Sequence, residues 1–434
     1  MNYLRTLCLA FVSFGLIACS EKADPTPQVE RLDMDAIARD YLFLELSMGE
    51  IDGNHVDAYF GPEEIKQRSA ESGLSLDEIL QRTSNLDQAL QDIATSADSN
   101  TARIDGLRGR LRALAARVSL QQGNALSFDE ESAAQFGTVA PTFNAAHFDS
   151  ILGEIETLLP GDGSLSARVD AFKADFAIPI DRLPKVFASA IAECRRRTLE
   201  HIDLVDGESF TIEYVNDKPW SGYNWYQGNS VSVIQINTDL PIYIDRAVDL
   251  GCHEGYPGHH TFNALLEKNL VNDQGWLEYS LYPLFSPESV IAEGSGNYGI
   301  DLAFPGDERI AYEVDVLFPM AGLEQSNAEK YYALLNLLEK LNYAGNEAAR
   351  GYLNGDLSRE QAVEWLMTYS LSSRARAEQR TRFFDTYRSY VINYNHGKDL
   401  VAGYVEQDNA DLDTRWERFE QILSTPIQPA ELEK

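Results

Sequence analysis

The chain has 434 residues, 44% of them apolar and 24% charged, the composition of an ordinary globular protein with a sizeable core rather than a disordered or membrane-embedded one. Lys and Arg number 36 against 68 Asp and Glu, a net charge of −32. So acidic a surface repels phosphate backbones and anionic lipid, which excludes nucleic acid as a partner.

The start of the chain reads as a targeting segment. Met1 to Arg5 is positively charged, and Thr6 to Ala18 is an apolar run of secretory-signal length, too short to span a bilayer. The run ends in Leu16-Ile17-Ala18-Cys19, which resembles a bacterial lipoprotein signal (residues 1–19) with Cys19 as the lipidated first residue of the mature chain. Ser20 follows rather than aspartate, as in lipoproteins sorted to the outer membrane. The expectation is a cell-envelope protein facing the periplasm, touching the membrane through lipidated Cys19 only. Residues 20–31, polar and proline-containing, form a flexible tether. With Cys8 and Cys19 in the signal, Cys194 and Cys252 remain; they are expected to be buried free thiols, with a single bridge as the alternative.

Residues 32–205 are expected to be a helical N-terminal part. Apolar positions recur at three and four in "MDAIARDYLFLELSMG", "LDQALQDIATSA", "GLRGRLRALAARVSL" and "FDSILGEIETLL". Residues 178–202 predict one more long helix, with Pro184 tolerable near its start. Residues 206–434 are the expected catalytic part, continuous with the first in a single fold. Here "ESFTIEYV" is strand-like, "KPWSGYNWYQGN" an aromatic loop, and "SVSVIQINTD" an alternating strand broken by Ile234. Helical spacing then returns. Ser286 and Pro287 open one helix, Ser358 with Gln361 forms a capping box for another, and residues 376–401 predict a last long one. The fold class is mainly α, a large multi-helical fold with one small β-sheet whose edge strand precedes the histidine-bearing helix.

That helix contains "GCHEGYPGHH", residues 251–260. Two histidines four apart on a helix can share one zinc ion, but His259 lies six positions after His253, a rotation of about 240° on a regular helix. His260 regains the face about 10.5 Å further along. Pro257 and Gly258 resolve the conflict if they are looped out as an insertion, since proline breaks the helix and glycine permits a bulge. His253 and His259 then return to an i, i+4 relation, with His260 left as the alternative second ligand. Glu254 becomes a general base beside the open coordination position. A third ligand is expected at Glu293, which lies in a helix among small residues; Glu278 and Glu288 are the alternatives.

"HEGYPGHH" resembles the His-Glu-x-x-Pro-Gly-His-His signature of the bacterial family known as domain of unknown function 885, itself similar to zinc metallopeptidases with a downstream glutamate ligand. The resemblance implies one zinc ion (Zn2+) held by His253, His259 and Glu293, with Glu254 as base. It covers about residues 221–401. The family's Glu-Gly-Trp-Ala-Leu-Tyr-Ala-Glu run is here "EGSGNYGI", which keeps Glu293, Gly294 and Tyr298 but lacks the tryptophan. Ile300 replaces the second acid unless Asp301 substitutes for it. His260 becomes a candidate for supporting the ligands or touching substrate. The family's C-terminal tyrosine pattern falls on "SYVINYNHG", making Tyr394, then Tyr390, then His396 candidates to stabilise an oxyanion. The strand before the motif is expected to hold substrate backbone by strand addition. Arg374, Arg376, Arg380 and Arg382 read as a solvated basic face, with one of them, not specified by the sequence, a candidate to meet a peptide carboxylate.

The expected function is that of a zinc metallohydrolase, a peptidase acting on short peptides. The alternatives are a non-catalytic lipoprotein that binds metal or peptide, and a metal hydrolase of ester or non-peptide amide bonds.

Overall fold

The computed structural model describes residues 33–94, 100–218 and 220–433. The signal segment, Cys19 and the tether lie outside the described residues. Helices dominate, joined by two small sheets. Asp33 accepts a hydrogen bond from the Ala36 amide and opens α1 (Met34–Ile51). Asn100 caps α2 (Thr101–Gln121) in the same way through Arg103. Their apolar faces, with Tyr41, Leu42, Leu107 and Leu111 buried, form one cluster with neighbouring helices. A larger apolar core runs from Phe128 to Leu432, so it spans position 205 without a break there.

Pro184 sits in the first turn of α3 (Leu183–Thr198), shorter than the helix expected over 178–202. It packs on α4 (Asp245–Glu254), and there Cys194 and Cys252 form a disulfide with Cα atoms 5.5 Å apart. This corrects the expectation of free thiols. The 58 residues between the cysteines hid a proximity that only helix-on-helix packing creates.

β1 (Val56–Tyr59) leaves the N-terminal helices. The central sheet comprises β2 (Ser209–Val215), β3 (Gly222–Tyr226) and β4 (Val231–Asn237) in the order β2-β4-β3. β4 pairs parallel with β2 and antiparallel with β3. The strand preceding the histidines is therefore the sheet's centre, not its edge as expected. The edge strands are β2 and β3, and β3 is formed by the segment read as an aromatic loop. On β4 the buried side chains are Ser232, Ile234 and Ile236, so the residue that spoiled the alternation belongs to the buried face. β5 (Leu281–Pro283) pairs antiparallel with β1, making a second sheet where one was expected.

α5 (His259–Leu266) follows α4, and α6 (Pro287–Ala303) follows β5. Ser286 occupies the N-cap position of α6, but its hydroxyl donates to the Pro283 carbonyl at 2.8 Å instead of capping. Ser358 and Gln361 form the expected capping box. The helix expected over 376–401 is interrupted: α7 (Arg374–Tyr387), a 3-10 turn at Arg388–Val391 and α8 (Ile392–Val405), with Arg388 at φ 53°. α8 lies so close to α6 that a Cβ on Gly294 would overlap the Gly397 carbonyl. No helix among the described residues is long and apolar enough to cross a membrane.

Reduction of the Cys194–Cys252 bridge, or Cys194→Ser, is expected to cost about 2–4 kcal/mol of stability. Urea unfolding with and without reductant measures it, and an unchanged midpoint would show that the bridge contributes nothing.

Candidate metal centre

The site begins with a break in a helix. α4 ends at Glu254 and α5 starts at His259. Across the gap the Gly258 amide donates to the Cys252 carbonyl at 3.0 Å, six residues back instead of the four of an α-helix. Two extra residues are thus accommodated in one turn. The turn is closed too tightly for side chains: a Cβ on Gly258 would overlap the His253 carbonyl, and one on Gly255 would lie 2.6 Å from the Gly251 carbonyl. The result is that His253 and His259 face each other, ring centroids 4.5 Å apart and planes at 81°.

α6 supplies the third group. Glu293 Oε2 lies 3.3 Å from His253 Nε2 and 3.8 Å from His259 Nε2, and one donor atom from each residue falls within 4.8 Å of the others. Nitrogen and oxygen ligands at about 2.0–2.1 Å from a tetrahedral zinc stand roughly 3.3 Å from one another. The buried Oε2 has no hydrogen-bond partner among the described residues, whereas Oε1 accepts from Tyr390 at 2.8 Å. An orphaned carboxylate oxygen facing two imidazole nitrogens is the donor set a divalent cation takes, and these three residues fit one. Burial lowers His259 to about 4, which keeps it neutral as a ligand must be. Burial alone would raise Glu293, but the two histidines and Tyr390 hold it below the usual carboxylate range.

Small residues on α6 let this happen, because a Cβ on Gly296 would lie 2.9 Å from the His253 ring. The other two glutamates are committed elsewhere. Glu278 takes two hydrogen bonds from Arg103 and Glu288 pairs with Arg110. Asp301 does not reach the site; it pairs with Lys398 at 2.7 Å.

The cluster opens into a cavity of about 870 Å³ that Glu254, Tyr390 and Tyr394 also line. Burial pushes the Glu254 carboxyl up to about 7, with His253 opposing and Glu293 adding to the rise. β3 lies against it: Asn224 donates to the Glu254 carbonyl at 2.7 Å, and a Cβ on Gly222 would come within 2.8 Å of Glu254 Oε1. Tyr390 spends its hydroxyl on Glu293, so it positions a ligand. The Tyr394 hydroxyl has no partner among the described residues, and burial with Glu293 keeps it protonated. His396 pairs with Thr138 at 2.9 Å and does not line the cavity.

His260 also lies off the cavity, which corrects its candidacy for substrate contact. Its ring is buried between the Ser232 hydroxyl at 2.8 Å and Glu208 at 3.0 Å. Glu208 further accepts from Tyr256 and Arg195. This network ties the broken turn to the sheet and to α3. Sequence reasoning missed Asp57 on β1, which lines the cavity and accepts from the Tyr223 hydroxyl at 3.2 Å. Burial pushes Asp57 to about 7. Nothing near Asp57 in the sequence points to it, since β1 reaches the site only through its pairing with β5.

No protein-family model matches the chain, and no curated protein is significantly similar to it. Among solved structures, a Colwellia psychrerythraea protein assigned as a lipoprotein is similar in fold, with TM-score 0.52 and 16% identity over 84% of this chain and 70% of that one. A Shewanella oneidensis protein, assigned as a lipoprotein of unknown function, aligns with TM-score 0.44 and 14% identity over 93% and 88%.

Gly258→Ala is expected to abolish stoichiometric divalent-ion binding, because its Cβ cannot coexist with the His253 carbonyl. Calorimetric zinc titration would show this; retained tight binding would mean the break tolerates a side chain. Glu208 gives a pH prediction. Burial would raise its carboxyl, but His260, Tyr256 and Arg195 hold it down at about 2. Its contribution to stability is complete above the usual glutamate value of 4.5 and is lost as pH falls towards 2. Denaturation curves between pH 6 and pH 2 should therefore be flatter for Glu208→Gln than for the parent chain.

Proposed function

We propose that the chain is a zinc-dependent metallohydrolase that cleaves short peptides, anchored by lipid in the bacterial cell envelope. The observation that carries the reading is the convergence of His253, His259 and Glu293, with an orphaned carboxylate oxygen, at the wall of a cavity that also holds Glu254. A zinc ion held by His253, His259 and Glu293 would supply Lewis-acid polarisation of a carbonyl and of water. The rest is the work of the chain. Glu254, whose carboxyl burial raises to about 7, takes the proton of the attacking water and returns it to the leaving amine. Tyr394 offers an uncommitted hydroxyl to the developing oxyanion. Tyr390 holds Glu293 in place.

Substrate backbone is held by strand addition along β3, whose Gly222, Tyr223 and Asn224 line the cavity. A volume of about 870 Å³ suits a short peptide rather than a folded protein. The lipid anchor rests on the Leu16–Cys19 box and on the assignment of the structurally similar Colwellia protein as a lipoprotein.

Purified protein is expected to bind one zinc per chain and to hydrolyse members of a mixed short-peptide library. Glu254→Gln should lower turnover about 10²- to 10⁴-fold with zinc retained, whereas His253→Ala should lose the metal. Metal analysis beside peptide mass spectrometry reads both. Unchanged turnover in Glu254→Gln, or no stoichiometric zinc in the parent, overturns the proposal.

A further inference from the structure

One wall of the cavity carries a charge that the proposed chemistry leaves unused. α7 points Arg376, Gln379, Arg380, Phe383 and Tyr387 into it. At 100° per residue, positions 376, 380, 383 and 387 fall within about 60° of one another, so a single stripe of the helix faces the cavity. The four arginines read from sequence as one basic face separate here. Arg374 is paired with Glu360 and Glu364 on the far side, and Arg382 is exposed away from the cavity. Arg376 lines the mouth and is exposed, whereas Arg380 is half-buried.

Arg380 has no carboxylate partner and no hydrogen bond among the described residues; its guanidinium rests over the Phe383 ring, 4.5 Å from the centroid. That is unusual in this chain. Carboxylates outnumber cationic side chains by 68 to 36, and the other half-buried cavity arginine, Arg246, is paired with Asp249. A partly desolvated guanidinium without a counter-charge is unfavourable, and a ligand carboxylate relieves it through two parallel hydrogen bonds. Arg380 and Tyr394 line the same cavity as His253, His259 and Glu293, which sets Arg380 in the chamber of the cluster rather than at a remote surface. Asp57, Glu254 and Glu293 line the same cavity, so a ligand there meets both signs of charge.

We infer that Arg380 is the anchor for the free C-terminal carboxylate of a peptide substrate, which, if the chain is the peptidase proposed above, makes it one that cuts close to the C-terminus. Anchor and metal ligands share one cavity of about 870 Å³, so the scissile bond lies within a short stretch of that carboxylate. Arg380 fixes the register of the peptide along β3. Exposed Arg376 raises the local potential at the entrance and makes approach of an anion to a protein of net charge −32 less unfavourable.

The test is binding, which does not require turnover. N-acetylated alanine-leucine tripeptides are titrated calorimetrically into the zinc-loaded and the metal-free full chain. The three probes are a free acid, its C-terminal amide, and an aspartate-ended peptide amide. The free acid should bind about 10- to 100-fold more tightly than the amide, the range for a charged hydrogen-bonded contact. Arg380→Gln should bring that ratio close to one, and Arg380→Lys should restore part of it while showing that the fold survives change at this position. An acid-to-amide ratio near one in the parent, or a ratio retained in Arg380→Gln, overturns the assignment, even if the peptides are hydrolysed. Equal affinity for the aspartate-ended amide overturns the main-chain carboxylate as the ligand. A clear ratio without hydrolysis of any peptide leaves the anchor standing and removes the peptidase reading.

Discussion

Everything at the site depends on one hydrogen bond, from the Gly258 amide to the Cys252 carbonyl, which closes a helical turn over six residues. In an uninterrupted helix the two histidines would stand on different faces, and no movement of Glu293 could bring all three together. The enlarged turn removes that obstacle at the expense of a backbone path that only glycine can follow at residues 255 and 258. Such a path does not persist unless its surroundings hold it, because a broken turn left alone has many other conformations open to it.

The surroundings hold it from both ends. Upstream, the Cys194–Cys252 bridge fixes the last turn of α4 to α3. Downstream, Glu208 gathers Arg195, Tyr256 and His260, and Ser232 takes the other side of the His260 ring. The second histidine of the pair is therefore a bracket, not a ligand, and this explains why two adjacent histidines serve different ends. Across the site, the Gly294–Gly397 contact lets α8 approach α6, which places Tyr390 on Glu293. The metal cluster is the meeting point of three separately braced helices.

How much of this was legible in the chain follows from the range of each interaction. Pro257, Gly258 and the spacing of His253 and His259 are local, so the need for a distorted helix could be read directly. So could the choice of Glu293 among small residues, since Gly294 and Gly296 advertise close packing. The strand order could not be read: Ile234 looks like an irregularity until Ser232 is seen turned inward to bond His260. The disulfide was hidden for the same reason, as its partners meet only through packing of α3 on α4. Asp57 was illegible as a site residue because it lies far from the motif, on a strand placed by pairing with β5; Arg380 could be named only as one of four arginines, because the side of α7 that faces the cavity is set by packing.

The cavity draws its walls from residues around 57, 222, 254, 293, 380 and 394. No contiguous fragment shorter than residues 57–394, 338 of the 434, contains them all. The metal ligands, by contrast, lie within the span from 253 to 293. Convergence of the three candidate ligands and construction of the chamber around them are therefore separable in the order of synthesis. A growing chain can present His253, His259 and Glu293 long before α7 and α8 exist, but it presents them without the wall that carries Arg380 and Tyr394.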